Sequence, residues 1–441
     1  MRRVLVTAAI LALFPGCTGT PEEREEDRFV RRAEEVRELS MNEPVLFERL
    51  TSDEYAAQVA ASTEEISDAE LEEYRDTYGR LGYFPPETDL RADIAGSSSD
   101  WVAGIYFHDT KRIRIIGDPS DSVIVHELVH AVQDEHFSLA AFRDVPTTDE
   151  YMARRAVIEG DATLAQTRFG LQEKYDVDLD DLDWEDFFSY WAEASASTLT
   201  DSDYPVIFRA VPAFLYPYGA PYCANNLAGA HPAWGDDTLP FPFDWTREDA
   251  LFLTRPPRST KQVMTFDVES TVLAIGLADV PAELATSLET VSWDTLGAWY
   301  SYLLFYPVNG APFVDDAREL SVHWNGDRVL FVRDTKTGEV GVAWSSIWDD
   351  PSAATRAFSA LEQLHGFTPS SEVPEQGAAA DGEPMRLERR DSRVLFLKNI
   401  DPAYSQVLAD AAFEVSTAPK ISPPPPRIPL PVRIAERMPH L

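Results

Sequence analysis

The stretch that decides the fold is Asp121–Phe137, which reads DSVIVHELVHAVQDEHF and carries the pattern H-E-x-x-H at residues 126–130. N-cap residue types precede it and apolar residues recur at helical spacing, so it predicts a buried α-helix. Positions four apart share a helix face, so His126 and His130 can bind one metal ion together. Glu127 is rotated by about 100° and can act as a general base on a water molecule at that ion. The spacing predicts a zinc site suited to hydrolysis.

A catalytic zinc site with two histidines needs a third protein ligand and leaves a fourth position for water. The next acidic cluster lies in residues 151–169, YMARRAVIEGDATLAQTRF, which we interpret as a second helix. Glu159 is the predicted third ligand, because small residues beside it would let this helix approach the first one closely. Asp161 is the second choice and Glu150 the third. The alternative interpretation of Glu159 is a solvated carboxylate on the helix surface.

With His126, Glu127, His130 and a later helical Glu159, the chain resembles the gluzincin class of zinc metallopeptidases. The strings HELVHAVQDEHF, AVIEGDAT, YPYG and PPRSTKQV are similar to those of a largely uncharacterised group of secreted bacterial and archaeal gluzincin-like proteins, regarded as peptidases or lipoproteins. The resemblance covers about residues 30–365. It implies Zn²⁺ held by the two histidines and the later glutamate, the H-E-x-x-H glutamate as catalytic base, and a peptide or protein as substrate.

One position departs from the gluzincin pattern. Well-studied gluzincins often carry an Asp four residues after the ligand Glu, where it orients a histidine, and here that position is Thr163. The orienting group must then come from elsewhere, and Asp161 is the candidate. Gluzincins also commonly use a Tyr or His on a later element to stabilise the oxyanion. Tyr216, Tyr218 and His231 are the candidates for that role.

Directly before the motif helix, residues 102–117 read VAGIYFHDTKRIRIIG, two alternating runs around Asp109 and Thr110. This pattern predicts a β-hairpin. In zincin-like folds such a strand borders the cleft, and its edge can pair with an extended peptide. His108 in the hairpin and His136 beyond the motif are expected to lie outside the ligand set.

The chain begins with MRRVLVTAAILALFPGC, a basic start followed by an apolar run that is too short to span a bilayer. This predicts a secretory signal peptide. Gly16-Cys17 resembles a bacterial lipoprotein cleavage site, so we predict lipidation of Cys17, with simple secretion as the alternative. The protein is then expected to be exported, either secreted or held at the outer membrane or cell surface by a lipid anchor alone. Cys223 is left without a partner and is expected to be a small buried residue.

The composition agrees with an exported protein. Net charge is −37, from 38 basic and 75 acidic residues. Such a surface repels phosphate backbones and anionic lipid, so we expect no nucleic-acid partner and no membrane contact beyond the anchor. The net charge favours a cationic substrate, although surface acidity often serves only solubility.

The predicted fold class is α+β, with a mostly helical zincin-like catalytic domain that carries an edge β-hairpin, followed by a small C-terminal α+β unit. In that unit, two strands around a Lys336-Thr337-Gly338 turn are followed by a helix, a linker or loop over 368–383, a strand and a final helix. The predicted division is a signal peptide (1–17), an acidic tether and helical region (18–100), the metallopeptidase domain (101–310), the α+β domain (311–416) and a Pro-rich tail (417–441).

These observations favour zinc-dependent hydrolysis of peptide bonds. The sequence leaves two other functions open. One is a catalytically inactive zinc-binding surface lipoprotein that acts as a binding or scaffold protein. The other is an interaction module built on the acidic, aromatic residues 176–191, with the metal incidental.

Overall fold

The structure is a computed structural model that describes residues 25–99, 102–200, 204–228, 244–267, 270, 272–273, 277, 279–306 and 316–414. The predicted signal peptide with Cys17, the candidate His231, the predicted boundary between residues 310 and 311 and the Pro-rich tail lie outside these residues. The described part is mixed α and β, so the predicted α+β class is confirmed.

The helices follow the chain in this order: α1 (Glu25–Arg37), α2 (Ser52–Glu64), α3 (Asp68–Tyr74), α4 (Leu90–Ser99), α5 (Asp121–Phe137), α6 (Leu139–Arg143), α7 (Thr148–Tyr175), α8 (Trp184–Thr200), α9 (Leu215–Ala228), α10 (Trp245–Leu253), α11 (Thr260–Thr265), α12 (Gly297–Phe305), α13 (Ala317–Val322), α14 (Pro351–His365) and α15 (Pro402–Phe413). A π-helical turn, Arg75–Gly79, continues α3. Among the described residues, the helices lack the combination of length and apolar character that crossing a bilayer requires.

The strands are β1 (Leu46–Leu50), β2 (Gly104–Phe107), β3 (Arg112–Ile116), β4 (Leu288–Asp294), β5 (Trp324–Asp334), β6 (Val340–Trp348), β7 (Thr368–Pro369), β8 (Gln376–Ala378), β9 (Pro384–Arg390) and β10 (Arg393–Lys398). Within the described residues they form one sheet of three strands and one of seven.

The small sheet has the order β1-β3-β2. Its antiparallel pair β2–β3 is the hairpin that the sequence predicts, with Gly104 opposite Ile115. The parallel strand β1 was not predicted. Among the described strands β2 is bonded to β3 alone, so its other edge is open, and β2 packs against α5.

The large sheet has the order β4-β5-β6-β10-β9-β8-β7, and its neighbouring pairs are antiparallel. The β5–β6 hairpin, β10, α14 and α15 lie where the sequence predicts them. Residues 368–383 are not simply a linker, because they contribute β7 and β8. The sheet also begins earlier than the predicted domain start at residue 311, since β4 pairs with β5. The apolar residues of β4 and α12 follow each other with almost no polar break, so the sequence does not mark where the strand ends and the helix begins.

The two faces of the large sheet pack against different partners. Alternate residues such as Phe331, Trp344 and Phe396 belong to a continuous core that also contains residues of α1, α5, α7, α9, α12 and α14. The opposite face, with Leu330 and Leu395, packs against α15 in a second cluster. The helices around the H-E-x-x-H motif and the large sheet therefore share one hydrophobic core.

The start of α7 is fixed to the end of β4 by one buried carboxylate. Asp294 accepts hydrogen bonds from the backbone N–H of Thr148 at 2.8 Å and from its hydroxyl at 2.6 Å. The Tyr78 hydroxyl and the Thr295 N–H also donate to Asp294, at 2.9 and 2.8 Å. Burial outweighs these hydrogen bonds and raises the pKa of Asp294 to about 6. The carboxylate thus sets where the helix that carries Glu159 begins.

We expect Asp294→Ala to lower the free energy of unfolding by about 3 kcal/mol, because it leaves several buried donors without an acceptor. Urea unfolding followed by tryptophan fluorescence measures the change. Asp350→Ala is the control, since Asp350 is an exposed N-cap of α14 and its loss should cost about 1 kcal/mol. Equal losses in the two variants would show that the buried carboxylate does not anchor α7.

Candidate metal centre

The motif helix α5 has the bounds that the sequence predicts. Ser120 occupies the N-cap position with extended backbone, and Ser138 ends the helix in the left-handed conformation at φ 56°. Side chains are buried without a break from Ile124 to Asp134, including both histidines and Glu127. This continuous burial gives the motif a rigid support.

The structure brings His126, His130 and Glu159 together, with their ligand atoms within 4.8 Å of one another. The two imidazole Nε2 atoms are 3.1 Å apart. Glu159 Oε2 lies 3.4 Å from Nε2 of His126 and 3.3 Å from Nε2 of His130. Ligands held tetrahedrally about 2.0–2.1 Å from a zinc ion would be about 3.3 Å from each other. The donor set and its spacing therefore fit a single zinc ion.

The other candidate ligands are engaged elsewhere. Asp161 accepts a hydrogen bond from Gln133 and pairs with Arg37, and Glu150 pairs with Arg154 at 2.6 Å. Neither carboxylate belongs to the three-residue cluster. Of the acids considered, only Glu159 converges on the histidines.

The two remaining histidines named from the sequence also lie outside the cluster. His136 bonds through Nε2 to the backbone oxygen of Ser40 at 2.7 Å. His108 lines the same cavity as the motif, and burial lowers its pKa, with Arg143 adding to the shift. Both placements agree with the expectation from the sequence.

A buried chain of hydrogen bonds orients His130. The side-chain amide of Gln133 donates to the backbone oxygen of Ile158 at 2.9 Å and to Asp161 at 2.5 Å. Its oxygen must then accept from Nδ1 of His130, 2.9 Å away, which leaves the Nε2 lone pair for a metal. Asp161 is held in turn by Arg37 Nε at 2.7 Å. The orienting group is thus Gln133, and Asp161 acts on the histidine only through it.

His126 is held differently. Its Nδ1 is buried and has no hydrogen-bond partner among the described residues. Its ring lies edge-on to that of His130, with 4.7 Å between centroids. Thr163, which stands where gluzincins often have an orienting Asp, donates its hydroxyl hydrogen bond to the backbone oxygen of Glu159 at 2.7 Å. Packing, rather than a polar partner, therefore orients this imidazole.

We expect Gln133→Leu to weaken zinc binding about 10–100-fold, because partners that orient a metal-bound histidine typically contribute that much. Competition with a chromophoric chelator measures the affinity, and near-ultraviolet circular dichroism checks the fold. Gln172→Leu on α7 is the matched control, since Gln172 bonds to Asp178 outside the cluster. Unchanged affinity in Gln133→Leu would exclude the orienting role.

Glu127 lies between the two histidines and strand β2. Burial raises the pKa of its carboxyl, and the two imidazoles only partly oppose this shift. The backbone of Tyr106 donates a hydrogen bond to it. A Cβ atom at Gly104 would lie 2.6 Å from Glu127 Cγ, so only glycine lets the strand approach this closely. Strand β2 thus helps to position the carboxylate of Glu127, which the sequence predicts to be a general base.

The structure separates the candidates for oxyanion stabilisation. Tyr216 on α9 has its ring 6.0 Å from the His126 ring and hydrogen-bonds to Glu159. Burial raises the Tyr216 pKa far above its usual value, and nearby carboxylates raise it further, so the hydroxyl stays a donor. Tyr218 points elsewhere, since it accepts a hydrogen bond from Arg318 at 3.1 Å.

Two glycines bring α9 against α7. A Cβ atom at Gly219 would lie 2.1 Å from the backbone oxygen of Ala156, and one at Gly160 would lie 2.4 Å from Gly219. The small residue next to Glu159 therefore serves contact with α9, not with α5 as the sequence suggested. Cys223 is buried at this crossing, as expected, and burial raises its pKa well above the usual value.

A cavity of about 410 Å³ opens at the three-residue cluster. His126, His130, Glu159 and Glu127 line it, together with Tyr216. Backbone and side chains of β2 and the aromatic residues of α8 form further parts of its wall. The candidate metal centre therefore opens into a cavity that can hold a small ligand.

Comparison with known proteins bears on only one part of the chain. Residues 286–408 match a domain of unknown function (DUF8575). This segment contains β4 to β10, and it excludes α5 and α7. No match was found among curated proteins or among solved structures. The match agrees with a sheet unit that begins near β4, and it gives no function to the metal centre.

Proposed function

We propose that this protein is an exported, lipid-anchored zinc metallopeptidase. The observation that carries the proposal is the convergence of His126, His130 and Glu159 beside the buried Glu127, at the base of an open cavity. Two imidazoles and one carboxylate are ligands that suit zinc. Three protein ligands leave a coordination position free, which is the arrangement of catalytic rather than structural zinc sites.

Zinc, when bound, would lower the pKa of a water molecule and polarise the scissile carbonyl. Glu127 would remove the proton from the attacking water and pass it to the leaving amine. A positioned carboxylate can act in this way first as a general base and then as a general acid. Tyr216 would turn its hydroxyl hydrogen bond from Glu159 to the carbonyl oxygen as negative charge develops on that oxygen.

The geometry of β2 supports a peptide as the substrate class. Ala103, Gly104, Ile105 and Tyr106 line the cavity, and among the described strands β2 has one unpaired edge. An extended peptide can bind such an edge by adding a strand, with main-chain hydrogen bonds that do not depend on sequence. The scissile bond would then lie beside Glu127.

Metal analysis followed by a peptide assay tests the proposal. Purified protein should contain one zinc per chain and should cleave members of a peptide library or unfolded casein. A chelator should abolish cleavage, and added zinc should restore it. Zinc without turnover would favour the catalytically inactive binding lipoprotein, and absence of zinc binding would exclude both functions.

Export and lipidation rest on residues 1–17 alone. Mass spectrometry of the protein from membrane fractions should find an N-terminus at Cys17 that carries lipid. Cys17→Ser should release the protein from the membrane fraction. A mature N-terminus at another residue would contradict the anchor while leaving the zinc chemistry untouched.

A further inference from the structure

The buried guanidinium of Arg155, in the cavity wall, has a nitrogen without a hydrogen-bond partner among the described residues. Arg155 lies one turn before Glu159 on α7, lines the cavity and is only 7% exposed. Its Nη2 is 3.8 Å from Glu159 Oε1, whereas Glu159 Oε2 faces the two imidazoles. Its Nη1 is buried with no hydrogen-bond partner among the described residues. A buried charged donor left unpaired is costly, so a ligand that pairs with it gains free energy.

The contacts of Arg155 leave room for such a ligand. Among the described residues, Glu159 is the only ion-pair partner of this guanidinium, and at 3.8 Å the pair is loose. Tyr151 lies beside it, with the ring centroid 5.8 Å away. A metal bound to Glu159 would also weaken the attraction between that carboxylate and Arg155. The guanidinium, with one unpartnered nitrogen among the described residues, therefore lies in the wall of the cavity.

The charge of the cavity differs from that of the whole chain. Its ionisable lining includes the carboxylates of Glu127 and Glu159 and the guanidinium groups of Arg143 and Arg155. These charges cancel, so a divalent cation would make the cavity positive. The chain as a whole carries −37, but charges beyond about 8 Å are largely screened at physiological ionic strength. Net charge alone favoured a cationic substrate, whereas the local charge favours an anionic one.

We propose that the cavity recognises a carboxylate of the peptide substrate, and that Arg155 binds it beside the metal. This proposal rests on the proposed peptidase function and specifies its substrate class. A guanidinium matches a carboxylate in geometry and can donate two parallel hydrogen bonds to it.

The carboxylate can have two sources with different consequences. If it is the C-terminus of the peptide, the enzyme removes residues from chain ends. If it is an Asp or Glu side chain, the enzyme cuts within chains next to acidic residues. The chemistry at Arg155 is the same in both cases, so one set of paired peptides distinguishes them.

Binding to the zinc-loaded Glu127→Gln variant tests the proposal without turnover. The probes are pairs of fluorescent pentapeptides. In one kind of pair the two peptides differ by Asp or Asn at a single position, which is varied along the peptide. In the other kind they differ by a free or an amidated C-terminus. In one of the two kinds of pair, we expect the peptide with the carboxylate to bind about tenfold more tightly than the otherwise identical peptide with the amide. A charge-assisted hydrogen bond allows a difference of this size. A preference for the free terminus alone identifies exopeptidase action, and a preference for Asp identifies an internal acidic residue.

Variants of Arg155 assign the preference. In the Glu127→Gln background, Arg155→Gln should reduce the ratio of the affinities for the carboxylate and amide peptides to about one. Arg155→Lys should keep part of this ratio because the charge remains. Arg154→Gln is the matched control, since Arg154 bonds to Phe142 and Glu150 and does not line the cavity. It should keep the full ratio.

Equal binding of every carboxylate–amide pair by the zinc-loaded protein would overturn the inference, and so would a preference that survives Arg155→Gln. The first comparison needs no change at Arg155, so it decides even if Arg155→Gln does not fold. Absence of zinc binding in the wild type would instead exclude the proposed function itself.

Discussion

Glu127→Gln will keep zinc bound and lose peptide hydrolysis. The amide has nearly the shape of the carboxylate but cannot accept the proton of the attacking water. A positioned general base typically contributes about 10²–10⁴-fold to the rate, so we expect kcat to fall by that amount. Zinc content should stay at one per chain, because Glu127 is not among the three residues whose donors converge.

The assay compares initial rates on a quenched peptide with zinc content measured on the same samples. Glu135→Gln is the matched control, since it lies on the same helix and its carboxylate accepts from the backbone of Asn42. It should retain wild-type activity. Full activity in Glu127→Gln would exclude the mechanism, and loss of zinc would mean that Glu127 is itself a ligand.

Glu159→Gln will weaken zinc binding by more than about 100-fold. Residues that only orient a ligand contribute about 10–100-fold, so loss of an anionic ligand should exceed that range. Two imidazoles would remain, and the neutral amide oxygen is a poor replacement for carboxylate. Chelator competition on wild type and variant gives the two dissociation constants directly.

Glu150→Gln is the control for this prediction. Glu150 was an alternative ligand from the sequence, but in the structure it is paired with Arg154 at 2.6 Å and is not part of the three-residue cluster. Its substitution should leave zinc affinity unchanged. A larger loss at Glu150 than at Glu159 would mean that the ligand set is wrong.

The convergence of His126 and His130 was predictable because it depends on local spacing. His126 and His130 share a face of one helix, and the bounds of α5 follow from periodicity and capping residues. Gln133 could have been found in the same way, since it lies three residues after His130 on that face. The choice of Glu159 over Asp161 was harder, because both lie on one buried helix and only the packing of α7 against α5 separates them.

Long-range partners could not be predicted from spacing. Arg37 reaches Asp161 from α1, and Asp294 reaches the start of α7 from β4. Nothing in the local sequence around either residue indicates its partner. The placement of Tyr216 rather than Tyr218 at the cluster also depends on α9, a helix that its prolines, Pro217 and Pro221, hide in the sequence.

Zinc-edge anomalous diffraction from crystals of the zinc-loaded protein tests the central claim most directly. We predict a single anomalous peak about 2.0–2.2 Å from Nε2 of His126, Nε2 of His130 and one carboxylate oxygen of Glu159. A peak at other residues, or none at this cluster in zinc-saturated crystals, would contradict the claim.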